Sequence, residues 1–105
     1  MYNPQFVELK DTWCLMTSTD WKKRFAAEYW QTKIRYEKLH KLIVRRSAGL
    51  NDFETPISLE MWNNQAKIMG MYLFELEKQA VLHGIDLEKD FVQNPLCQGE
   101  KKNYD

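Results

Sequence analysis

The sequence predicts an all-α fold: an antiparallel helical hairpin of two long helices with short terminal elements, which we expect to dimerise into a helical bundle. Two stretches of similar length carry seam residues at alternating spacings of four and three, a turn-rich segment joins them, and capping residues stand at their ends. A chain of 105 residues forms one domain. We expect the single helical domain 1–105 to comprise an N-terminal segment (1–17), two helices (18–48 and 56–83), and a short helix and tail (86–105).

The first helix has clear start and stop signals. Thr17 is its predicted N-cap, and Asp20 three residues later completes a capping-box pattern. The helix is expected to end before Gly49, which can adopt the left-handed conformation. Steps of four and three return to one face of a helix, so the first helix presents a seam of six residues. This seam comprises Phe25, Tyr29, Thr32, Tyr36, Leu39 and Ile43.

The second helix has two possible starts and one clear end. Either Thr55 is the N-cap with Pro56 at the first helical position, or Ser58 is the N-cap one turn later. The helix is expected to end at His83, before Gly84. A short turn between helices of equal length predicts that they run antiparallel. The second seam comprises Leu59, Trp62, Ala66, Met69, Leu73, Leu76 and Ala80.

Further apolar residues lie outside the seams, and one hairpin cannot cover all of them. On the first helix they are Ala26, Ala27, Trp30 and Ile34. On the second helix they form the predicted oligomer interface, which comprises Met61, Ile68, Met71 and Phe74. We expect the termini, a second copy of the chain, or both to cover these strips.

The termini carry weaker patterns. Asn3-Pro4 is typical of a helix start, and Phe6, Leu9, Trp13 and Met16 follow at helical spacing, although Trp13–Met16 fits an extended segment equally well. Near the other end, Asp86 can cap a short helix that carries Leu87 and Phe91 and stops at Asn94-Pro95.

The net charge is zero, but the charge is unevenly divided along the chain. Residues 22–46 contain nine basic and two acidic side chains, so they carry +7, and the remaining residues carry −7. This pattern fits either pairing between a basic and an acidic helix or a positive surface for an anionic partner. The predicted binding face on the basic helix comprises Arg24, Trp30, Ile34, Lys38, Lys41 and Arg45.

Trp30 allows three interpretations. A tryptophan flanked by cations can stack a nucleotide base while the cations hold phosphates. It can also anchor a protein partner, or it can be buried beneath the N-terminal segment. The sequence does not choose between these interpretations.

Several classes of function find no support in the sequence. No apolar run approaches the roughly 20 residues that a membrane span needs, and no secretory leader is evident. Cys14 and Cys97 are therefore expected to be thiols in a reducing cytosol, although two cysteines could pair. No phosphate loop, nucleophile motif or metal-ligand pattern is present, and His40 and His83 have structural explanations. We expect no enzyme activity, no cofactor, no metal and no catalytic residue.

Short sequences in both helices carry a family resemblance. In the first half they are Asp20-Trp21-Lys22-Lys23-Arg24, Glu28-Tyr29, Lys33 and Arg35-Tyr36-Glu37-Lys38-Leu39. In the second half they are Pro56-Ile57-Ser58-Leu59-Glu60, Gln65-Ala66, Met69, Tyr72-Leu73, Leu76-Glu77 and His83-Gly84-Ile85. Over residues 20–87 the chain thus resembles small phage and prophage proteins of the crAss-phage-related type. The resemblance implies a small phage accessory protein in the cytoplasm of a bacterial host, with no catalytic residues to carry over.

Three functional hypotheses follow from the residues and the resemblance. The first is a counter-defence protein that binds a host immune protein, such as a CRISPR effector, as an anti-CRISPR protein would. The second is a sponge that sequesters a nucleotide immune signal. The third is a structural or regulatory helical module without a role in defence. In the first two the partner is a host immune protein or a nucleotide signal, and in all three the chain is expected to form a homo-oligomer.

Overall fold

The computed structural model describes residues 6–91, and its regular secondary structure over this range is entirely helical. The elements are a 3₁₀ turn (Leu9–Thr12) and the helices α1 (Trp13–Met16), α2 (Trp21–Ser47) and α3 (Leu59–His83). The all-α class predicted from the sequence is therefore confirmed. No helix within the described range is both long enough and apolar enough to cross a membrane.

The long helices α2 and α3 pack against each other along the predicted seams. Near the start of α2, the Tyr29 hydroxyl donates to Glu77 Oε2 over 2.9 Å, close to the end of α3. Near the end of α2, the Arg46 guanidinium lies over the ring of Trp62, close to the start of α3. The contacts thus run in opposite order along the two helices. All residues of both seams are buried or half-buried.

The helix caps differ in one respect from the prediction. The prediction of Thr17 as the N-cap of the first long helix is wrong, because its hydroxyl donates to the carbonyl oxygen of Trp13 within α1 (2.8 Å). Asp20 takes this role, and its carboxylate accepts from the backbone N–H of Lys22 over 3.0 Å. Ser58 caps α3, which selects the later of the two predicted starts.

Glycines end both long helices as expected. Gly49 and Gly84 have φ angles of 92° and 70°, in the left-handed region that favours glycine. Gly84 is itself the C-cap of α3, while Gly49 follows the C-cap of α2.

The core lies at the end of the molecule away from the loop that joins α2 and α3. The second apolar strip of α2 is buried here, beneath the N-terminal segment and the residues that follow α3. Towards the loop, the seam residues are mostly half-buried, because two helices alone cover them. The buried hydrophobic cluster comprises Phe6, Leu15, Ala26, Ala27, Tyr29, Trp30, Ile34, Leu73, Leu76, Ala80, Ile85, Leu87 and Phe91.

The terminal segments match the prediction only in part. Trp13–Met16 is helical rather than extended, and Cys14 is in a disulfide rather than a free thiol. Asp86 accepts from the backbone N–H groups of Glu88 and Lys89, but residues 87–89 form a turn instead of the predicted short helix. Asn3-Pro4, Asn94-Pro95, Cys97 and the tail lie outside the described residues.

Candidate ligand-binding site

The predicted binding face of α2 is not a continuous exposed surface. Trp30 is only 1% exposed and Ile34 only 4%. The Trp30 ring stacks on Phe6 at 5.0 Å, and its indole N–H donates to the carbonyl oxygen of Leu87 over 3.1 Å. The expectation that Trp30 and Ile34 share an outer face with the cations is therefore corrected. In this chain Trp30 lies beneath the N-terminal segment, the third of the interpretations above.

Three of the four cations on this face already bind groups of the same chain. Arg24 donates to the carbonyl oxygen of Ser18 over 2.9 Å. Lys38 pairs with Glu8, with 2.7 Å between nitrogen and oxygen. Two guanidinium nitrogens of Arg45 donate to the two carboxylate oxygens of Asp52, over 2.7 and 2.8 Å. Lys41 is exposed and has no polar partner among residues 6–91.

The Arg45–Asp52 pair ties the end of α2 to the following loop. The hydrogen bond from Arg45 lowers the pKa of Asp52, and the bond to Asp52 raises the pKa of Arg45. Both side chains are well exposed, so the surrounding water screens the pair. Its contribution is the position of the loop, because a bidentate contact fixes distance and orientation together.

Directly beside this pair lies a cluster of one cation and two aromatic rings, which we call the loop-end cluster: Arg46, Phe53 and Trp62. The Arg46 guanidinium carbon lies 5.0 Å from the centroid of the Trp62 ring. The Phe53 and Trp62 centroids are 6.1 Å apart, with the ring planes inclined by 51°. Arg46 also donates to the carbonyl oxygen of Ile57 over 2.7 Å, which fixes the guanidinium against the ring.

An open depression of about 830 Å³ borders the loop-end cluster. This volume falls within the range of roughly 300–1,000 Å³ that is typical of small-molecule sites. Its lining offers a guanidinium, an exposed phenyl ring, amide and hydroxyl groups, and one carboxylate. The guanidinium can bind a phosphate, the phenyl ring can stack a base, and the amide and hydroxyl groups can bind a ribose. The carboxylate suits a hydroxyl donor better than an anion. The lining residues are Arg46, Asn51, Phe53, Glu54, Thr55 and Pro56.

The loop-end cluster was not predicted from the sequence. Arg46 was only one of nine cations, Trp62 was a seam residue, and Phe53 was part of a turn-rich loop. The available signal was one aromatic residue in the middle of the loop (Phe53), a second in the first turn of the following helix (Trp62), and a guanidinium at the end of the preceding helix (Arg46).

A second depression, of about 350 Å³, lies beside Tyr29 and Glu77 near the end of α3. Burial, followed by the hydrogen bond to Glu77, raises the pKa of the Tyr29 hydroxyl. The lining also includes Asp86 and Glu88, so this depression is acidic and unsuited to a phosphate. Across the described part of the chain, no group of three His, Cys, Asp or Glu side chains could hold a metal ion.

The predicted oligomer interface on α3 is exposed in the single chain. The exposed fractions of Met61, Ile68, Met71 and Phe74 lie between 54% and 66%. Val81 and Leu82 on the same helix are exposed to 77% and 86%. The helix thus presents apolar side chains both towards α2 and towards solvent.

The family model described as Sequestin matches residues 19–80, more than half of the 105 residues. The chain belongs to the Sequestin family. The Sequestin segment runs from just before α2 into the last turn of α3, and it contains the whole loop-end cluster. It also overlaps the 20–87 segment that resembles crAss-phage-related proteins, but it shows no link to that group. No curated protein and no solved structure matches the chain.

Proposed function

We propose that this chain is a non-catalytic phage accessory protein that sequesters a nucleotide immune signal of its bacterial host by stoichiometric binding. The Sequestin name is compatible with a sequestering role. The resemblance to phage proteins supports the viral setting. The observation that carries the nucleotide as ligand is the loop-end cluster and its open depression.

The chemistry of the cluster fits a nucleotide in two ways. Phe53 is 52% exposed, so one face of its ring is available to stack a base. Among the described residues, only the Ile57 carbonyl oxygen accepts from the Arg46 guanidinium, which leaves further N–H donors for a phosphate. The stack on Trp62 and the bond to Ile57 hold Arg46 in place before the ligand arrives, which lowers the entropy cost of binding.

Titration calorimetry of the full chain with cyclic AMP, cyclic GMP, cyclic di-AMP and cyclic di-GMP tests this proposal. We expect at least one of them to bind with one molecule per chain, and more weakly as salt increases. Ligand released by heat should have its original mass, because binding occurs without turnover. The absence of binding to the whole panel, or a converted ligand, would contradict the proposal.

A variant and a matched control locate the site. Phe53→Ala should weaken nucleotide binding about 5- to 150-fold, equivalent to about 1–3 kcal/mol for one stacked base. Phe74→Ala removes the same ring from a similarly exposed position on α3 and should leave the affinity unchanged. Equal effects of the two substitutions would place the ligand elsewhere.

A host immune protein, such as a CRISPR effector, is the second candidate target. The observation that favours it is the exposed apolar face of α3, because such patches often mark protein contacts. The basic face of α2 is a weaker candidate, since two of its cations already pair with carboxylates. Lys41→Glu tests that face better than reversal of Lys38 or Arg45, which would set carboxylate against carboxylate within the chain. Loss of host-protein capture by Phe74→Ala, with nucleotide binding unchanged, would support this second target through the face of α3, and the same result with Lys41→Glu would support it through α2.

A further inference from the structure

The outer face of α3 combines exposed apolar residues with charges of both signs. A surface helix normally has one apolar side and one polar side, whereas a helix that is apolar on both sides is usually buried. Ile68 and Met71 lie at the middle of the outer face of α3, opposite the seam. The charged residues Glu60, Lys67, Glu75 and Lys78 lie on or beside the same face, and their charges sum to zero.

This neutral balance distinguishes the outer face of α3 from the basic helix α2. The basic helix α2 would repel a second copy of itself, because residues 22–46 carry +7. Two α3 helices can approach without net repulsion. The signs along the helix also alternate as negative, positive, negative, positive from Glu60 to Lys78, so reversing one copy brings opposite charges near each other.

We infer that α3 packs antiparallel against α3 of a second copy, with Ile68 beside the partner's Met71 across a two-fold axis. In this register the four central side chains, Ile68 and Met71 from each copy, form an apolar layer. Because the chains run in opposite directions, Glu60 comes within about one residue of the level of the partner's Lys78, on the same flank of the contact. Each dimer therefore has two such ion pairs, one at either end.

The structure of the single chain leaves both partners of this pair accessible. Lys78 contacts Glu75 at 2.7 Å and lies over the Phe74 ring at 4.7 Å, but about half of its side chain is exposed. An exposed pair within one helix is worth little, so Lys78 can exchange Glu75 for Glu60 of the partner subunit at low cost. The loop-end cluster faces the α2–α3 seam, so this inference does not depend on the proposed nucleotide site.

Sedimentation velocity and light scattering on the full chain test the contact. The wild type should have twice the 12.6 kDa chain mass at micromolar concentration. Met71→Glu should raise the dimer dissociation constant at least tenfold, because it places a carboxylate in the central apolar layer. Val44→Glu is the matched control: Val44 is half-exposed on α2, and its substitution should leave the dimer intact. Helical content by circular dichroism should stay unchanged in both variants.

A charge exchange tests the register. Glu60→Lys and Lys78→Glu should each weaken the dimer, because each creates two like-charge pairs, and the double variant should recover it. Lys41→Glu, which lies on α2, should have no effect. A monomeric wild type, a dimeric Met71→Glu variant, or single reversals that the double variant does not rescue would each overturn the inference. A monomer that loses a host protein upon Met71→Glu would also overturn it, because the face would then bind that protein instead.

Discussion

Replacement of Trp30 is the sharpest test of this fold, because a buried Trp30 and a base-stacking Trp30 predict different measurements. A base-stacking tryptophan would affect binding when truncated, whereas a core tryptophan would affect stability. Trp30 is 1% exposed and contacts Phe6 at 5.0 Å and Tyr29 at 5.1 Å between ring centroids. Trp30→Ala should therefore destabilise the chain and should not remove a ligand contact.

The expected loss follows from the contacts of the ring. Truncation of a buried tryptophan to alanine costs about 3–5 kcal/mol, which includes the cavity left behind. The Leu87 carbonyl oxygen also loses its donor at 3.1 Å, and a buried acceptor without a partner costs about 1–3 kcal/mol. We therefore expect Trp30→Ala to lower the free energy of unfolding by at least about 5 kcal/mol. Domains of this size have a total stability of about 5–15 kcal/mol, so Trp30→Ala could unfold much of the sample.

Trp30→Phe is the milder variant that keeps the test decisive. It retains an aromatic ring against Phe6 but removes the N–H that binds Leu87, so we expect a loss of about 1–3 kcal/mol. Urea denaturation followed by helical circular dichroism gives the free energy of unfolding, and calorimetry with a bound nucleotide gives the affinity. A loss below about 0.5 kcal/mol together with weakened nucleotide binding would refute the buried position of Trp30.

Three further predictions concern stability. Leu73→Ala should lower the free energy of unfolding in urea by about 2–5 kcal/mol, because Leu73 is buried in the middle of the α3 seam. A loss below about half a kcal/mol would show that the heptad register of the seam is wrong. Asp20→Ala should cost about 0.5–2 kcal/mol by removing the N-cap of α2, whereas Thr17→Ala should cost less. The pKa of Tyr29 is raised above its usual 10.0. Because the unfolded chain gains charge first as the pH rises beyond about 10, the stability should fall there. Tyr29→Phe should flatten this alkaline loss in melting-temperature measurements, and an unchanged slope would contradict the assignment.

The sequence predicted the long helices well because their signals are local and periodic. The spacing of residues such as Leu73 and Leu76 defines one face of a helix whatever lies against it. Gly84 marks the end of α3 by its own backbone preference. Thr17 was assigned wrongly because Thr17 and Asp20 are both capping candidates and stand three residues apart. Thr17 is the C-cap of the short helix α1, and Asp20 is the N-cap of α2.

The site was harder to predict because it depends on which faces other segments cover. Helical projection places Trp30 beside the cations of α2, but it cannot show that Phe6 and Leu87 cover the ring. Likewise, the ion pairs of Lys38 with Glu8 and of Arg45 with Asp52 join residues from different segments. A periodic pattern specifies the side of the helix on which a residue lies, and only the packed chain shows whether that side meets solvent.

The distribution of packing separates stability from binding in this molecule. At the end away from the loop, the N-terminal segment and the residues after α3 add a third layer over the two helices, and Trp30 is buried there. At the loop end, two helices alone cover the seam, so Trp62 stays half-buried and Phe53 exposed. An aromatic side chain with a free face is costly to expose. The Arg45–Asp52 contact fixes the loop that presents Phe53. Substitutions at Phe53 should consequently alter binding with little change in the free energy of unfolding, whereas substitutions at Trp30 should do the reverse.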